Sequence, residues 1–372
     1  MNSPKRPKFS RSADAEFVKT LKGRVSDYFK EKHISKNGNT EMVVKSIALL
    51  LLYLAPLTLI ITGVVSHSVL LFFMWVFMAF GMAGIGMSVM HDANHGSYSK
   101  SPTVNKYLGY LINFLGGSAI VWKLQHNVLH HSFTNIEGHD GDIDAGGILR
   151  LSPNTPRKRI HRLQAFYAWI LYGLTTINWA ITKDYRLIFS YRKKGLGVKN
   201  RTKFALQVTR MTAAKVLYWL VVLGLPLWLS PASWWLTLIF FLTMHFIAGV
   251  ITTAIFQGAH VMPDADYPMP NNEGNVQDNF FVHQFRTTCN FSPKSRIFSW
   301  FVGGLNYQIE HHLFPNISHV HYRKISKIVK ETALEFNIPY HVYPNFAVVL
   351  WEHTKHLWRL GNPQSLPFVK SS

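Results

Sequence analysis

The sequence predicts an all-α integral membrane protein, with four transmembrane helices in two hairpins and a cytosolic helical cap that holds a two-metal site. Three observations point there. Apolar runs of about 20 residues recur in the chain, long enough to cross roughly 30 Å of hydrocarbon at 1.5 Å per residue. Histidines gather in clusters just beyond the ends of those runs. Lysine and arginine are placed so that every cluster falls on one face of the membrane.

Composition narrows the class. Of 372 residues, 48% are hydrophobic, mean hydropathy is +0.06, and the formal charge is +20. The basic residues flank apolar spans and form no zinc-finger or RNP signature, so the expected partner is the lipid bilayer, and no nucleic acid. Such a face would also attract an acidic redox protein or a phosphate-bearing substrate. Cys289 is the single cysteine, which excludes an internal disulfide and a four-thiolate metal site. It reads as a small buried apolar residue.

Residues 1–45 form a basic, polar arm without a signal-peptide pattern. Within it, Asp14 to Lys30 predicts an amphipathic helix through Phe17, Leu21, Val25 and Phe29, with Asp14 suited to the N-cap. The membrane domain is expected over 46–340 and a C-terminal tail over 341–372. The first two spans are predicted at about 46–65 and 69–90, joined by Ser66-His67-Ser68 with His67 as a solvated tip. The stretch from Tyr107 to Trp122 is glycine-broken and too short to cross, hence interfacial or re-entrant. Phe166 to Thr182 reads as interfacial too, because basic residues flank both sides. The third and fourth spans are predicted at about 213–229 and 234–256, joined by Ser230-Pro231-Ala232-Ser233. Neither far loop contains Lys or Arg, so both hairpins agree in orientation. From about Ser318 onward, Ile325, Ile328, Val329, Leu334 and Phe336 predict a cap packed over the site.

Candidate ligands come next. His91 and His95, then His126, His130 and His131, then Gln308, His311 and His312, sit at helical spacings that turn donors the same way. A single histidine on an apolar face is ordinarily a packed core residue. Three clusters together read as a metal cage, and seven clustered imidazoles exceed what one zinc ion would use. His260, where the fourth span leaves the membrane, is a further candidate. His245, inside that span, reads as structural or tunnel-lining. His283 has no paired neighbour and is set aside, while His319, His321, His341, His353 and His356 are expected to face solvent. Asp140, Asp142 and Asp144 read as a solvated turn, with a role in orienting ligand histidines as the alternative.

The three boxes, their order and their spacing resemble the membrane fatty acid desaturases. Asn306-Tyr-Gln308-Ile-Glu-His311-His312-Leu-Phe-Pro315 is similar to the third box of the front-end subgroup, where Gln replaces the first histidine. The resemblance covers about residues 45 to 340. It implies a metal set of His91, His95, His126, His130, His131, His260, His311 and His312, with Gln308 a weaker donor that acts directly or through water. It also implies two iron ions, O2 as co-substrate, and a fatty acyl substrate carried on CoA, a carrier protein or a phospholipid. The new double bond would lie between an existing one and the carboxyl end. Many front-end enzymes contain a fused cytochrome b5 domain with a His-Pro-Gly-Gly signature; the arm here has none, so an external donor such as cytochrome b5 or ferredoxin is expected. An unactivated methylene is too inert for acid–base chemistry, so an oxidant derived from O2 is required. Two other readings stay open at this stage: a histidine-box hydroxylase or alkane monooxygenase, and a membrane haem electron-transfer protein.

Overall fold

The computed structural model describes residues 6–362. Residues 1–5 of the arm and 363–372 of the tail lie outside the described residues. Four helices are long and apolar enough to cross a membrane: Thr40–Ile61, Ser68–Asn94, Arg201–Leu229 and Trp234–His260. Two of the starts are capped by a side chain. Asn39 accepts a hydrogen bond from Met42 N (3.2 Å) and Asn200 from Lys203 N (3.0 Å), which satisfies amides that have no partner within the helix. The first helix begins six residues before its apolar run, at the Asn39 cap, and ends earlier too, just before Gly63 takes a left-handed conformation (φ 70°). The third begins at Arg201, twelve residues before the expected 213, since its first turns are polar and hydropathy alone does not see them. The second and fourth run past their apolar windows to Asn94 and His260.

The first two long helices pack on each other, and the fourth packs on the second. Leu49, Trp75, Met78, Phe241 and Met244 fill the contact. His245 is buried there, with Tyr218 Oη at 2.6 Å and Thr176 Oγ1 at 3.1 Å, so both ring nitrogens are engaged in holding helices together. The interfacial stretch is a set of short turns: Pro102–Gly109, a 3-10 turn Tyr110–Leu115 and Ala119–Trp122. Beyond the second cluster come Gln164–Gly173, Thr175–Asn178 and Asp184–Lys193, each shorter than the four long helices. The first of these meets the fourth long helix where Gly249 sits against the Gly173 carbonyl; a Cβ there would approach it to 2.5 Å.

Two parts of the periphery depart from expectation. The chain is mostly helical, yet Lys8–Ser10 pairs in parallel with Asn275–Asn279, and Asn290–Phe291 with Val342–Tyr343. These pairs pin the arm and the tail side to the loops around the third cluster. In the arm, Ala15–Glu31 is helical and buries the four predicted residues against Tyr322–Glu335, settling the helix on the body. Asp14 adopts φ 52° and its side chain makes no cap bond, so the N-cap expectation fails. Ile325 and Val329 are buried in that contact, whereas Leu334 points outward.

The solvent-facing expectation for the C-terminal histidines is corrected: none of the five is fully exposed, and of the two half-buried ones, His341 and His356, the latter has its Nε2 3.3 Å from Tyr267 Oη. His319, His321 and His353 are buried. His353 lies on the helix Phe346–Gly361, where its Nδ1 donates to Val261 O and its Nε2 faces Tyr172 Oη, both at 2.8 Å. The tail helix therefore packs on the end of the fourth long helix, which local sequence polarity does not reveal.

Candidate metal centre

The three boxes do not sit on ordinary α-helices throughout. The second long helix opens into a π-turn at Ile85–Val89 just before Met90–Asn94, and the second box lies in a π-helix, Lys123–His130. His131 N bonds to His126 O at 3.0 Å, an i to i+5 closure. The wider turn brings His131 Nε2 to 3.2 Å from His126 Nε2, while His130, its ring stacked on that of His126, also reaches the rings of His260 and His312.

Two groups of donors result. In the first, the ligand atoms of His91, His95, His126 and His311 all lie within 4.8 Å of one another. In the second, His130, His260 and His312 do the same. His131 with His311 and His312 forms a third such set, and His126 with His130 and Asp142 a fourth, so the two groups adjoin. Helix Gln308–Leu313 serves both, sending His311 to the first group and His312 to the second. Every predicted histidine is therefore brought to one place. Gln308 is fully buried beside His260, and neither amide atom makes a hydrogen bond of ordinary geometry.

The inward nitrogens are what a cation would need. Nε2 of His95, His130, His260 and His312 is buried without a hydrogen-bond partner. In the first group Nε2 of His91 is 3.3 Å from that of His126, and His131 Nε2 is 3.2 Å from His126 and 3.0 Å from His311. Neutral imidazole offers only one N–H, so nitrogens that crowd so closely cannot all satisfy one another. A metal ion accepts all their lone pairs at once. Burial, reinforced by the neighbouring imidazoles, pushes the pKa of His126, His131, His311 and His312 well below the ordinary histidine value, which keeps them neutral and ligand-ready.

The outer ring nitrogens are held in turn. His130 Nδ1 donates to both oxygens of Asp140 at 3.1 Å, His312 Nδ1 to Gln284 Oε1 at 2.9 Å and His260 Nδ1 to Thr287 O at 3.2 Å, and His311 Nδ1 lies 3.3 Å from Tyr322 Oη. The Asp140 carboxylate, the Gln284 amide oxygen and the Thr287 carbonyl can only accept, so those three bonds fix a tautomer with Nε2 free to face inward, while the Tyr322 hydroxyl pairs with His311 in either sense. The solvated-turn expectation for Asp140 is thus corrected. It is buried, and it also accepts from Asn135 N and Asp142 N, both at 2.9 Å. Burial disfavours its charge, but His130 and these amides hold the carboxyl below the usual range. Asp142 stands 3.4 Å from His130 and bonds Gln125, while Asp144 stays exposed in the turn.

Sequence reasoning missed further supports. Asp92, inside the first box, accepts from Ser318 Oγ at 2.7 Å and His319 N at 3.1 Å, and faces His319 Nδ1 at 3.0 Å. Lys45 Nζ reaches His319 Nε2 at 2.7 Å, tying the start of the first long helix to this network. In the third box, Glu310 accepts from Asn290 Nδ2 and Tyr340 Oη, both at 2.8 Å, and Asn290 Oδ1 accepts from Ile309 N at 3.0 Å. Burial pushes the Glu310 carboxyl up to about 7 against those hydrogen bonds. Asp92 and Glu310 lie within the boxes, so a carboxylate beside a ligand histidine was the available signal. Gln284 and Asn290 gave none, since they reach the site only through tertiary contact.

The fatty acid desaturase family model matches residues 45–344. The chain is 34% identical over 349 residues to the sn-1 linoleoyl-lipid 6-desaturase of Synechocystis sp., covering 93% of this chain and 95% of that one. It is 35% identical to the acyl-lipid (8-3)-desaturase of Physcomitrium patens, covering 94% and 73% respectively. With the Delta(5) fatty acid desaturase A of Dictyostelium discoideum it shares 30% identity, covering 97% and 78%. The buried histidine groups and these matches agree: the chain belongs to the fatty acid desaturase family and is an oxidoreductase that desaturates fatty acyl chains.

Proposed function

We propose that the protein is a front-end desaturase, which places a cis double bond between an existing one and the carboxyl end of a lipid-linked acyl chain, using O2 and two iron ions. The observation that carries the metal part is the pair of histidine groups whose inward nitrogens have no other partner. His91, His95, His126 and His311, with His131 beside them, would hold one ion; His130, His260 and His312, with the Gln308 amide beside His260, would hold the other. The iron pair would supply an O2-derived oxidant able to take hydrogen from an unactivated methylene. The chain's own residues do the rest. Asp140, Gln284, Thr287 and Tyr322 orient the imidazoles, and the histidines are themselves buried from solvent.

The regiochemistry rests on Gln308 in the third box and on the relatives, whose names include linoleoyl-lipid 6-desaturase and Delta(5) fatty acid desaturase. The lipid carrier rests on those names too. Electrons are assigned to an external donor of the cytochrome b5 or ferredoxin kind. We place the four long helices across the bilayer as two hairpins, with both termini and the metal site on the cytosolic side, because the loops at Ser66–Ser68 and Ser230–Ser233 contain no Lys or Arg. Expression in a desaturase-deficient host, with double-bond localisation in the extracted acyl chains, tests the whole reading. A product desaturated at mid-chain from saturated substrate would overturn the front-end part, and a hydroxylated product the desaturase part.

A further inference from the structure

Beside the first metal group lies a polar cavity of about 590 Å³, lined by His95, Lys100, Lys106, Lys123, Asn37 and Asn105 among others. No carboxylate lines it, and none of the three lysines is in an ion pair among the described residues. Three exposed lysines on the wall of one concavity, with no carboxylate among its lining residues, suit an anion. The walls are set rather than loose. Asn105 Nδ2 donates to Gly96 O (3.2 Å) and Ser99 O (2.7 Å), its Oδ1 accepts from Ser99 N (2.9 Å), and Asn37 Nδ2 donates to Ser97 O (3.3 Å). These bonds fix the loop that bears Lys100 to the turn that follows His95.

Two neighbours define what the anion belongs to. On one side is His95, so whatever fills the cavity stands next to the metal group. On the other, the helix that contributes Lys106 exposes Val104 and Tyr107, and the turn after it exposes Tyr110 and Phe114, an apolar and aromatic surface suited to the headgroup level of a bilayer. We propose that this cavity binds the phosphate of a membrane phospholipid whose acyl chain is the substrate, and so sets the distance from headgroup to metal. The inference rests on the front-end reading and deepens it. An enzyme that counts carbons from the carboxyl end must grip the polar end close to the oxidising site, and this cavity is where the structure offers that grip.

The test uses the full-length, iron-loaded protein in vesicles with its donor. The same polyunsaturated acyl chain is presented on phosphatidylglycerol, on uncharged diacylglycerol and on CoA. Wild type should prefer phosphatidylglycerol over diacylglycerol, and K100Q/K106Q/K123Q should cut that preference in kcat/KM about tenfold, the size a few partly exposed charge contacts provide. The same variant should spread the double bond over adjacent positions, while Lys→Arg at all three sites restores both readouts. Thermal unfolding and iron content check that the variant is folded and loaded. An unchanged preference with slower reduction by the donor would give the cavity to the donor protein and overturn the proposal. Lysine-dependent preference for the CoA thioester over phosphatidylglycerol would overturn the lipid source. Failure of desaturation on every carrier by wild type would instead sink the underlying front-end reading.

Discussion

Replacing Asp140 by Asn isolates the carboxylate that holds His130 while keeping its size. Three donors converge on the two Asp140 oxygens: His130 Nδ1–H and the amides of Asn135 and Asp142. The asparagine amide has one oxygen and one NH2, so its nitrogen must face at least one of these donors. A buried donor left unpaired costs about 1–3 kcal/mol, or roughly 5- to 150-fold in an equilibrium. The imidazole can relieve the clash by moving its proton to Nε2, but that nitrogen is the one turned towards His260 and His312. The protein then keeps its fold at the expense of the second metal position. Outer partners of metal-bound histidines elsewhere contribute about 10- to 100-fold in affinity, which agrees with this range.

The assay is iron per chain after dialysis against chelators of graded strength, with thermal unfolding in detergent alongside. Asp140→Asn should lose the iron of the His130, His260 and His312 group to a chelator about 10- to 100-fold weaker than wild type requires, and retain the other. Asp142→Asn should do less, because Asp142 is more distant from His130 (3.4 Å) and partly solvated. Full occupancy and full activity in Asp140→Asn would refute the argument that this carboxylate sets the tautomer.

His95→Ala, His130→Ala or His312→Ala should abolish the unsaturated product and lower iron content while the protein remains in the membrane fraction; normal product from any two of them would remove the metal assignment. Gln308→Ala should lose much of its activity, and iron analysis separates its roles, since retained iron means the amide acts through water or cavity shape and lost iron means direct ligation. Stripping the metal should lower the unfolding temperature, because four buried Nε2 atoms then lack any partner; an identical melt with and without metal would argue against a built site. Tags near Arg192 and near Ala232 should report opposite sides of the membrane, the first cytosolic, and a far-side signal near Arg192 would mean that the stretch from Phe166 to Thr182 crosses.

The spans and ligands were legible because each depends on local composition. Apolar length located the four long helices to within a few residues, except the polar starts at Thr40 and Arg201, which are helical through the Asn39 and Asn200 caps rather than through hydropathy. The histidines were legible because imidazole doublets have few other uses next to a membrane. What escaped was tertiary. His353 looks solvated in a basic tail, yet it is buried because its helix docks on Val261 and Tyr172. His319 likewise disappears between Lys45 and Asp92, residues distant in sequence. Asp140 resembles any turn aspartate until the chain returns it to His130 ten residues earlier.

The division of the ligands between two groups was the least legible feature, and its cause is backbone geometry. On an α-helix, residues four apart share a face, which would send His126 and His130 to one ion. The i to i+5 closure from His131 to His126 widens the turn, so His126 and His131 converge while His130 faces His260 and His312. One box thereby reaches both groups without a second helix. The third box does the same with adjacent residues, His311 and His312, because a six-residue helix pinned through Glu310 to Asn290 and Tyr340 can point neighbouring side chains apart. Two ions held close together require ligands that diverge from shared elements, and a π-turn provides that divergence within a single rigid segment. The second long helix opens its own π-turn at Ile85–Val89, directly before His91, where Met90 N bonds five residues back to Ile85 O and keeps the irregular backbone satisfied.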